Sequence, residues 1–273
     1  MTDPAELARF REVQQLAYAA AQSVAGTLRP GVTEKQAAAR LRDYLTERGV
    51  QDWFHIPFAW FGDRTAFRGF RLPLQFFPSN RALEDGMPFI LDCAPVLDGY
   101  VADIGYAGCL GTNRIHDLLM NDLAEYRTMI RTRVADGVPL KQIYHEVDEL
   151  ITRQGYDNRH RVYPGRVIGH QVSKVRSRLP RFIAAGFGIR ALQTLAGDLI
   201  VERMQHRSPL WADRESSNHP ATPGLWAVEP HIGFRGVGVK FEEILVVAEN
   251  GEAFWLDDDL PHVRRWKATE AAS

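Results

Sequence analysis

The chain has few of the features that mark secreted, membrane or nucleic-acid-binding proteins. It contains only two cysteines in 273 residues, Cys93 and Cys109, which excludes a disulfide-stabilised scaffold and suits a reducing compartment. It has no run of 18 apolar residues and no basic leader followed by an apolar segment, so we expect neither a membrane span nor secretion. The formal net charge of -1 gives no surplus that would attract nucleic acid or a membrane surface. These absences predict a cytoplasmic protein.

The composition that remains is globular, with 45% hydrophobic and 25% charged residues. Helical periodicity over residues 4–28 and 34–48 recurs about 106 residues later, over 121–134 and 140–154. Two copies predict a duplicated half-domain, so we expect one α+β domain over 1–273, with pseudo-twofold halves at about 1–115 and 116–260. Identical residues stand at equal offsets in the two copies: Gly31/Gly137, Val32/Val138, Lys35/Lys141, Gln36/Gln142, Thr46/Thr152 and Gly49/Gly155.

A β-hairpin is predicted around Asp98-Gly99, because a type I′ turn needs positive φ at both central residues. With these two residues as the loop, Asp92 lies opposite Gly105, and Asp92 and Asp103 share one face as diagonal neighbours. Two carboxylates in an apolar hairpin are costly unless a cation or a proton neutralises them. Solvation or a salt bridge is the alternative, but the pattern favours a metal site.

Three further ligand-type residues stand in apolar, strand-like surroundings downstream. His170 lies in Val-Ile-Gly-His-Gln-Val, Glu229 in Leu-Trp-Ala-Val-Glu-Pro, and Glu242 in Lys-Phe-Glu-Glu-Ile-Leu-Val-Val. Glu243 projects from the opposite face of the same strand, where we expect a structural ion pair or solvation. Asp92, Asp103, His170, Glu229 and Glu242 are therefore the candidate metal ligands.

These five residues, in this order and context, resemble the pita-bread metallopeptidase family of methionine aminopeptidase, aminopeptidase P, prolidase and creatinase. The Gly-His170, Val-Glu229-Pro and Lys-Phe-Glu242-Glu segments carry the resemblance, together with the hairpin. It implies that Asp103 and Glu242 bridge two divalent ions, that Asp92 chelates one of them, and that His170 and Glu229 bind the other. Relatives often pair, so a homodimer is expected.

The resemblance also implies an activity. Four carboxylates and one imidazole suit Mn, Fe, Co or Zn ions, and two such ions would hold and acidify a water molecule. We expect a dinuclear metal-dependent hydrolase of a C–N bond, of Xaa-Pro or aminopeptidase type, acting on a short peptide or small molecule. A creatinase-like amidine hydrolase, a lyase or an Fe- or Mn-dependent oxygen-using enzyme would use the same ligands. A metal-free binding module is disfavoured because it needs none of them.

Two histidines typical of family peptidases are missing from this sequence. Their positions correspond to Ser177 and to a residue near Gln75 or Phe76. His231, two residues after Glu229, is the candidate replacement acid or base, and Glu229 is the second catalytic candidate. His55 is expected to be a packed or surface histidine.

Between His170 and Glu229 the chain is about twice as long as in the family. This segment, 172–223, is expected to be a charged loop or a lid that receives an anionic substrate, since arginine binds carboxylate and phosphate bidentately. Aromatic residues between Trp53 and Phe77 are expected to pack the core and in part to line the substrate pocket. The tail after Asp257 is expected to be frayed. The arginines of the segment are Arg176, Arg178, Arg181, Arg190, Arg203 and Arg207.

Overall fold

The computed structural model of the protein describes residues 3–272, and within this range it contains six α-helices. α1 begins where the Asp3 side chain accepts a hydrogen bond from the Ala5 amide, and α2 begins after a capping box of Thr33 and Gln36. The helices are α1 (Pro4–Thr27), α2 (Glu34–Thr46), α3 (Arg114–Ala135), α4 (Leu140–Arg153), α5 (Ile189–Met204) and α6 (Pro261–Ala272). The first four form the two predicted pairs.

Antiparallel strands form one continuous sheet in the described part of the chain. The strands are β1 (Asp52–Phe61), β2 (Pro88–Leu97), β3 (Tyr100–Val101), β4 (Ile104–Cys109), β5 (Asp157–Asn158), β6 (Val167–Val172), β7 (Ile183–Ala184), β8 (Phe187–Gly188), β9 (Leu210–Ala212), β10 (Gly224–Val228), β11 (His231–Phe234), β12 (Val237–Val247) and β13 (Ala253–Trp255). The main path runs β7-β8-β1-β2-β4-β12-β10-β6-β9.

The sheet is symmetric about its central pair, β4 and β12. Moving outward, β2 and β10 come next, and β1 and β6 follow them. One strand of each pair comes from the first half of the chain and the other from the second. This arrangement confirms the predicted α+β fold with pseudo-twofold halves. The exact extent of the domain, 1–273 with halves of about 1–115 and 116–260, stays a prediction.

The hairpin register is the predicted one. Asp98 and Gly99 both have positive φ, 53° and 85°, and Leu97 pairs with Tyr100. Farther along the hairpin, Asp92 pairs with Gly105. The turn thus fixes which face of the sheet receives the first carboxylate.

One hydrophobic core joins α1–α4 to the sheet, and a smaller, mostly aromatic cluster of buried residues lies apart from it. The smaller cluster contains Phe58, Trp60, Phe67 and Ile90. Phe58 pairs with Asp92 across β1 and β2, so the two side chains share a face. The aromatic cluster therefore lies beside the first candidate ligand.

Two sequence expectations about irregular segments were wrong. The tail after Asp257 is not frayed, because α6 buries Trp266, whose indole N–H donates to the Met120 carbonyl over 2.6 Å. The 172–223 segment is not a plain loop, because it contains three short strands and α5. No helix between residues 3 and 272 is both long enough and apolar enough to cross a bilayer.

Candidate metal centre

Three carboxylates from the central strands are held on one face of the sheet. Asp92 of β2 pairs with Gly105 of β4, and Gly105 pairs in turn with Glu242 of β12. Paired residues of antiparallel strands share a face, so Asp92 and Glu242 both point to the side that the glycine leaves open. Asp103 lies just before β4, on the same face of the hairpin. All three side chains are almost completely buried.

The second half of the chain supplies the two remaining candidates. His170 of β6 pairs with Ala227 of β10, and Glu229 follows directly after β10. The His170 Nε2 atom lies 3.3 Å from Asp103 Oδ2. Asp92, Asp103, His170, Glu229 and Glu242 line one cavity. The structure thus brings all five predicted residues together.

A lysine that sequence reasoning missed joins three of the carboxylates. The Lys240 Nζ atom lies 2.5 Å from Asp92 Oδ2 and 2.8 Å from both Glu229 Oε2 and Glu242 Oε2. Its side chain is 1% exposed. The signal was present in the sequence, because Lys240 precedes Glu242 by two residues on one strand and therefore shares its face. Lys240 binds one oxygen of each carboxylate, which leaves the second oxygen for another partner.

His55, expected to be a packed or surface histidine, is buried and also belongs to the cluster. Its Nε2 atom lies 3.0 Å from Asp103 Oδ1 and 3.2 Å from Asp92 Oδ1. Its Nδ1 atom donates a hydrogen bond to the Ile56 carbonyl over 2.9 Å. The sequence signal was its place at the start of the strand that pairs with β2, but that pairing could be identified only from the fold.

Burial and mutual charge shift the pKa values of the cluster. Burial raises the pKa of Glu242 well above its ordinary value, and the charges of Asp103 and Glu229 raise it further. Burial also raises the pKa of Glu229, although Lys240 opposes this shift. For Asp103, the two nearby imidazoles outweigh burial and lower the pKa. For His55, burial lowers the pKa, but Asp103 and Asp92 outweigh it and raise the value to about 9.

The donor set of the cluster fits a bound cation. Four carboxylates face the Lys240 ammonium group and the imidazoles of His55 and His170 in a buried place. Ligand atoms of His55, Asp92 and Asp103 lie within 4.8 Å of one another, and so do those of Asp103, His170 and Glu242. Asp103 belongs to both groups. The donors are hard oxygens and imidazole nitrogens, which suit first-row divalent ions.

His231 does not line the cavity, although it lies close to the cluster in sequence. Its Nε2 atom lies 2.8 Å from the Thr65 carbonyl, so Nε2 carries the proton and Nδ1 accepts from the Tyr163 hydroxyl at 3.2 Å. Burial lowers the pKa of His231 well below its ordinary value, and Lys240 adds to this effect. The tyrosine itself lines the cavity. His231 therefore contacts the site from behind the cavity, through Tyr163 and as the cross-strand partner of Lys240.

Glu243 points to the opposite side of β12, as expected from its position. It forms an ion pair with Arg127 at 2.7 Å, and the His262 ring nitrogen lies 2.9 Å from the same carboxylate oxygen. Its side chain is completely buried. Glu243 is thus a structural anchor between β12 and the helices α3 and α6.

The cavity in front of the carboxylates has a volume of about 260 Å³ and mostly apolar walls. Phe76, which with Gln75 marks the region where family peptidases are expected to carry a histidine, forms part of the wall. Ser177, at the other such position, instead hydrogen-bonds Gln193. The aromatic residues of the wall are Phe54, Phe58, Trp60, Phe76, Phe77, Tyr163 and Phe187. The sequence expectation that aromatic residues of 53–77 reach the pocket therefore agrees with the structure.

The arginines of the 172–223 segment do not reach this cavity. Among residues 3–272, no arginine lines it. Arg190 pairs with Asp52 at 3.0 Å, and Arg207 pairs with Glu202 at 2.7 Å. The segment closes the cavity with apolar side chains instead, including Phe187 of β8 and Leu195 of α5. The structure gives no support to a lid of arginines around an anionic substrate.

The fold defines the class of the protein, which is the pita-bread architecture. The sequence model of metallopeptidase family M24 matches residues 8–249, and the chain belongs to this family. An uncharacterized peptidase of Staphylococcus aureus (strain bovine RF122 / ET3-1) is 23% identical over 188 residues, 67% of this chain and 52% of the relative. The chain thus spans about half the length of the curated relatives it matches.

Solved structures of the same fold agree with this assignment. An X-Pro aminopeptidase from Thermotoga maritima MSB8 has a TM-score of 0.65 and 18% identity, covering 93% of this chain and 61% of that one. A methionine aminopeptidase from Rickettsia prowazekii has a TM-score of 0.60 and 14% identity, covering 92% of this chain and 96% of that one. At these identities the similarity establishes the fold, and it confirms the predicted pita-bread architecture.

Proposed function

We propose that the protein is a metal-dependent hydrolase that cleaves a C–N bond in a short peptide or a small amide. The observation that carries the proposal is the buried cluster of four carboxylates and His170 at the base of an apolar cavity. Membership of metallopeptidase family M24 supports it. An Xaa-Pro or aminopeptidase-type substrate is the specific form that we propose.

Asp92, Asp103, His170, Glu229 and Glu242 are the residues we assign to hold two divalent ions of Mn, Fe, Co or Zn. Such ions, when bound, lower the pKa of a water molecule and polarise the bond that it attacks. Asp103 belongs to both groups of converging ligand atoms, which supports a bridging position. Lys240 fixes one oxygen of three carboxylates and so orients the other oxygen of each.

The other residues of the site bind the substrate and handle protons. The aromatic walls exclude bulk water, which strengthens electrostatic interactions at the reacting bond. We assign to Glu229 the second role of accepting the proton of the attacking water, because burial raises the pKa of its carboxyl group. His231 does not line the cavity, so its proposed role is to orient the Tyr163 hydroxyl.

A dipeptide panel tests the proposal directly. The purified protein is stripped with a chelator, reloaded with MnCl2 or CoCl2, and incubated with Xaa-Pro and other apolar dipeptides and amides. We expect release of free amine only from the reloaded protein, and none from Asp103→Asn under the same conditions. A fully metallated sample that releases no amine from any member of the panel would contradict a C–N hydrolase.

A second candidate is an iron- or manganese-dependent oxygen-using enzyme on the same scaffold. It is favoured by the cavity wall near Gln75 and Phe76, the region where a family peptidase is expected to have a histidine, because Phe76 forms the wall there. Within residues 3–272, the only histidines that line the cavity are His55 and His170. Oxygen uptake by the Fe2+-loaded protein with small apolar substrates would support this candidate, and amine release without oxygen uptake would exclude it.

The remaining proposals concern the cellular location and the oligomeric state of the protein. We propose a cytoplasmic location on the basis of the two free cysteines. We also propose a homodimer, because members of the family often form dimers. Sedimentation of the purified protein at several concentrations tests the dimer.

A further inference from the structure

The two imidazoles of the cluster occupy equivalent places in the two halves of the sheet. His55 lies on β1 and His170 lies on β6, and each of these strands is the third from the centre on its own side. Asp92 of β2 corresponds in the same way to Glu229, which follows β10. Each half therefore provides one imidazole from its third strand, counted from the centre. It also provides one carboxylate that lies on, or directly after, its second strand.

The hydrogen bonds of the two imidazoles are also the same. His55 Nδ1 donates to the carbonyl of Ile56, the next residue, over 2.9 Å. His170 Nδ1 donates to the carbonyl of Gln171, again the next residue, over 2.9 Å. Histidines that bind metal ions commonly carry this kind of bond, because it fixes the tautomer and the ring orientation. In a neutral ring it leaves the Nε2 lone pair facing outward.

Both Nε2 atoms face oxygen atoms of one carboxylate. His55 Nε2 lies 3.0 Å from Asp103 Oδ1, and His170 Nε2 lies 3.3 Å from Asp103 Oδ2. When Nδ1 carries the proton, a lone pair on Nε2 would repel a carboxylate oxygen at these distances unless a positive charge lies between them. That charge is either a second proton on each ring or a metal ion that binds both atoms.

We propose that His55 is a sixth metal ligand, which binds the same ion as Asp92 and Asp103. The proposal rests on the metal centre of the proposed function and extends it, since the resemblance to the family assigns five ligands with a single imidazole. The ligand atoms of His55, Asp92 and Asp103 already lie within 4.8 Å of one another. Each of the two ions then has one imidazole, and Asp103 lies between them.

The sixth ligand changes the chemical character of the centre. Four carboxylates and two imidazoles are the ligand set of the di-iron and di-manganese carboxylate proteins that are built in four-helix bundles. We therefore expect iron or manganese to occupy both positions of this centre.

Metal titration of His55 variants tests the proposal without relying on activity. The full chain is stripped of metal and titrated with CoCl2, followed by visible absorption, and with MnCl2, followed by calorimetry. Wild-type protein is expected to bind two equivalents. His55→Ala and the shape-conserving His55→Gln are expected to retain one strong equivalent and to weaken the other at least 10-fold. His170→Ala should show a similar loss, and the surface variant His145→Ala, which lies outside the cluster, should match wild type.

The outcomes separate this inference from the proposed function. Wild-type protein that binds no ion would overturn both. Wild-type protein that binds two ions, with His55 variants that bind two ions at unchanged affinity, would overturn only the sixth ligand and make His55 a protonated partner of Asp103. Far-ultraviolet circular dichroism of each metal-free variant checks the fold, and His55→Gln carries the test when His55→Ala does not fold.

Discussion

The side chain of Lys240 passes directly over Gly105, at a point where a Cβ atom on residue 105 would lie 2.2 Å from Lys240 Cε. Gly105 is the residue between Asp92 and Glu242 in the sheet register. Its missing side chain provides the space through which the lysine reaches the carboxylates. Glycine is thus required at position 105 because of the Lys240 side chain that passes over it. The backbone of Gly105 does not itself require glycine, since its φ is not positive.

Gly105→Ala is expected to displace Lys240 and destabilise the protein. Overpacking of a buried site costs about 1–3 kcal/mol, and here the atom that must move is tied to three carboxylates. The measurement is the midpoint of urea unfolding of the metal-free protein. Gly26→Ala is the matched control, because a Cβ at residue 26 of α1 would meet no atom within 4 Å. An unchanged midpoint for Gly105→Ala would contradict the packing described.

Lys240→Met is expected to destabilise the metal-free protein by about 3–5 kcal/mol, because it leaves buried carboxylates without their cation. A divalent ion can replace part of the lost charge, so MnCl2 should raise the melting temperature of the variant more than that of wild type. Differential scanning calorimetry with and without the ion measures both effects. The exposed Lys267→Met serves as the control. Equal gains from MnCl2 in Lys240→Met and wild type would contradict the role of Lys240.

Glu34→Gln is expected to loosen the cavity wall from a distance. The completely buried carboxylate of Glu34 accepts hydrogen bonds from the Phe61 amide (2.9 Å) and from the amide and hydroxyl of Ser79 (2.8 and 2.6 Å). It thereby holds both ends of the 61–79 segment, which carries Phe76 and Phe77. Each buried donor left without an acceptor costs about 1–3 kcal/mol.

Urea unfolding and hydrogen exchange of the 61–79 amides measure the effect of Glu34→Gln. We expect a lower unfolding midpoint and faster exchange in this segment. Glu47→Gln, at an exposed position at the opposite end of the same helix, should leave both measurements unchanged. Exchange at the wild-type rate in Glu34→Gln would show that the segment is held by other contacts.

His160 is expected to make the protein less stable in mild acid. Burial lowers its pKa below the ordinary 6.5, and its bond to Asp148 does not fully restore it. Below about pH 6.5 the unfolded chain therefore binds a proton that the folded chain does not, so stability falls as the pH falls. The loss is about 1.4 kcal/mol per pH unit within the window between the two pKa values.

Chemical unfolding at pH 7.5 and pH 5.5 measures the contribution of His160. His160→Gln should lose less stability between these two pH values than wild type does. His145→Gln, at a half-exposed surface histidine, should lose as much as wild type. A variant with the wild-type pH dependence would assign the acid sensitivity to other groups.

The parts of the centre that could be predicted from sequence are those that depend on local rules. The Asp98-Gly99 turn determined the hairpin register, and strand parity placed Glu242 and Glu243 on opposite faces. The same parity applies to Lys240, but a lysine in a strand is ordinarily at the surface, and only the open space above Gly105 lets it turn inward. The place of His55 in the cluster could not be predicted, because it depends on which strand pairs with β2. No local sequence pattern contains this long-range pairing.

Segments that depend on tertiary contacts were the least predictable. α6 has a charged sequence, and its helix is stabilised by the burial of Trp266 against distant residues. α5 has little helical periodicity of its own, and its side chains Leu199, Ile200 and Met204 stay exposed. Its inner residue Leu195 contributes to the cavity wall. Its position is therefore set by the site it covers.

The central position of β12 has a consequence for how the protein is made. This strand pairs with β4, β10, β11 and β13, and it follows all but the last of these in the sequence. Until residue 247 has left the ribosome, the nascent chain has two half-sheets with unpaired central edges and no complete set of cation ligands. We therefore expect the two halves to join slowly and only after β12 has been made, with a need for chaperone protection of the open edges until then.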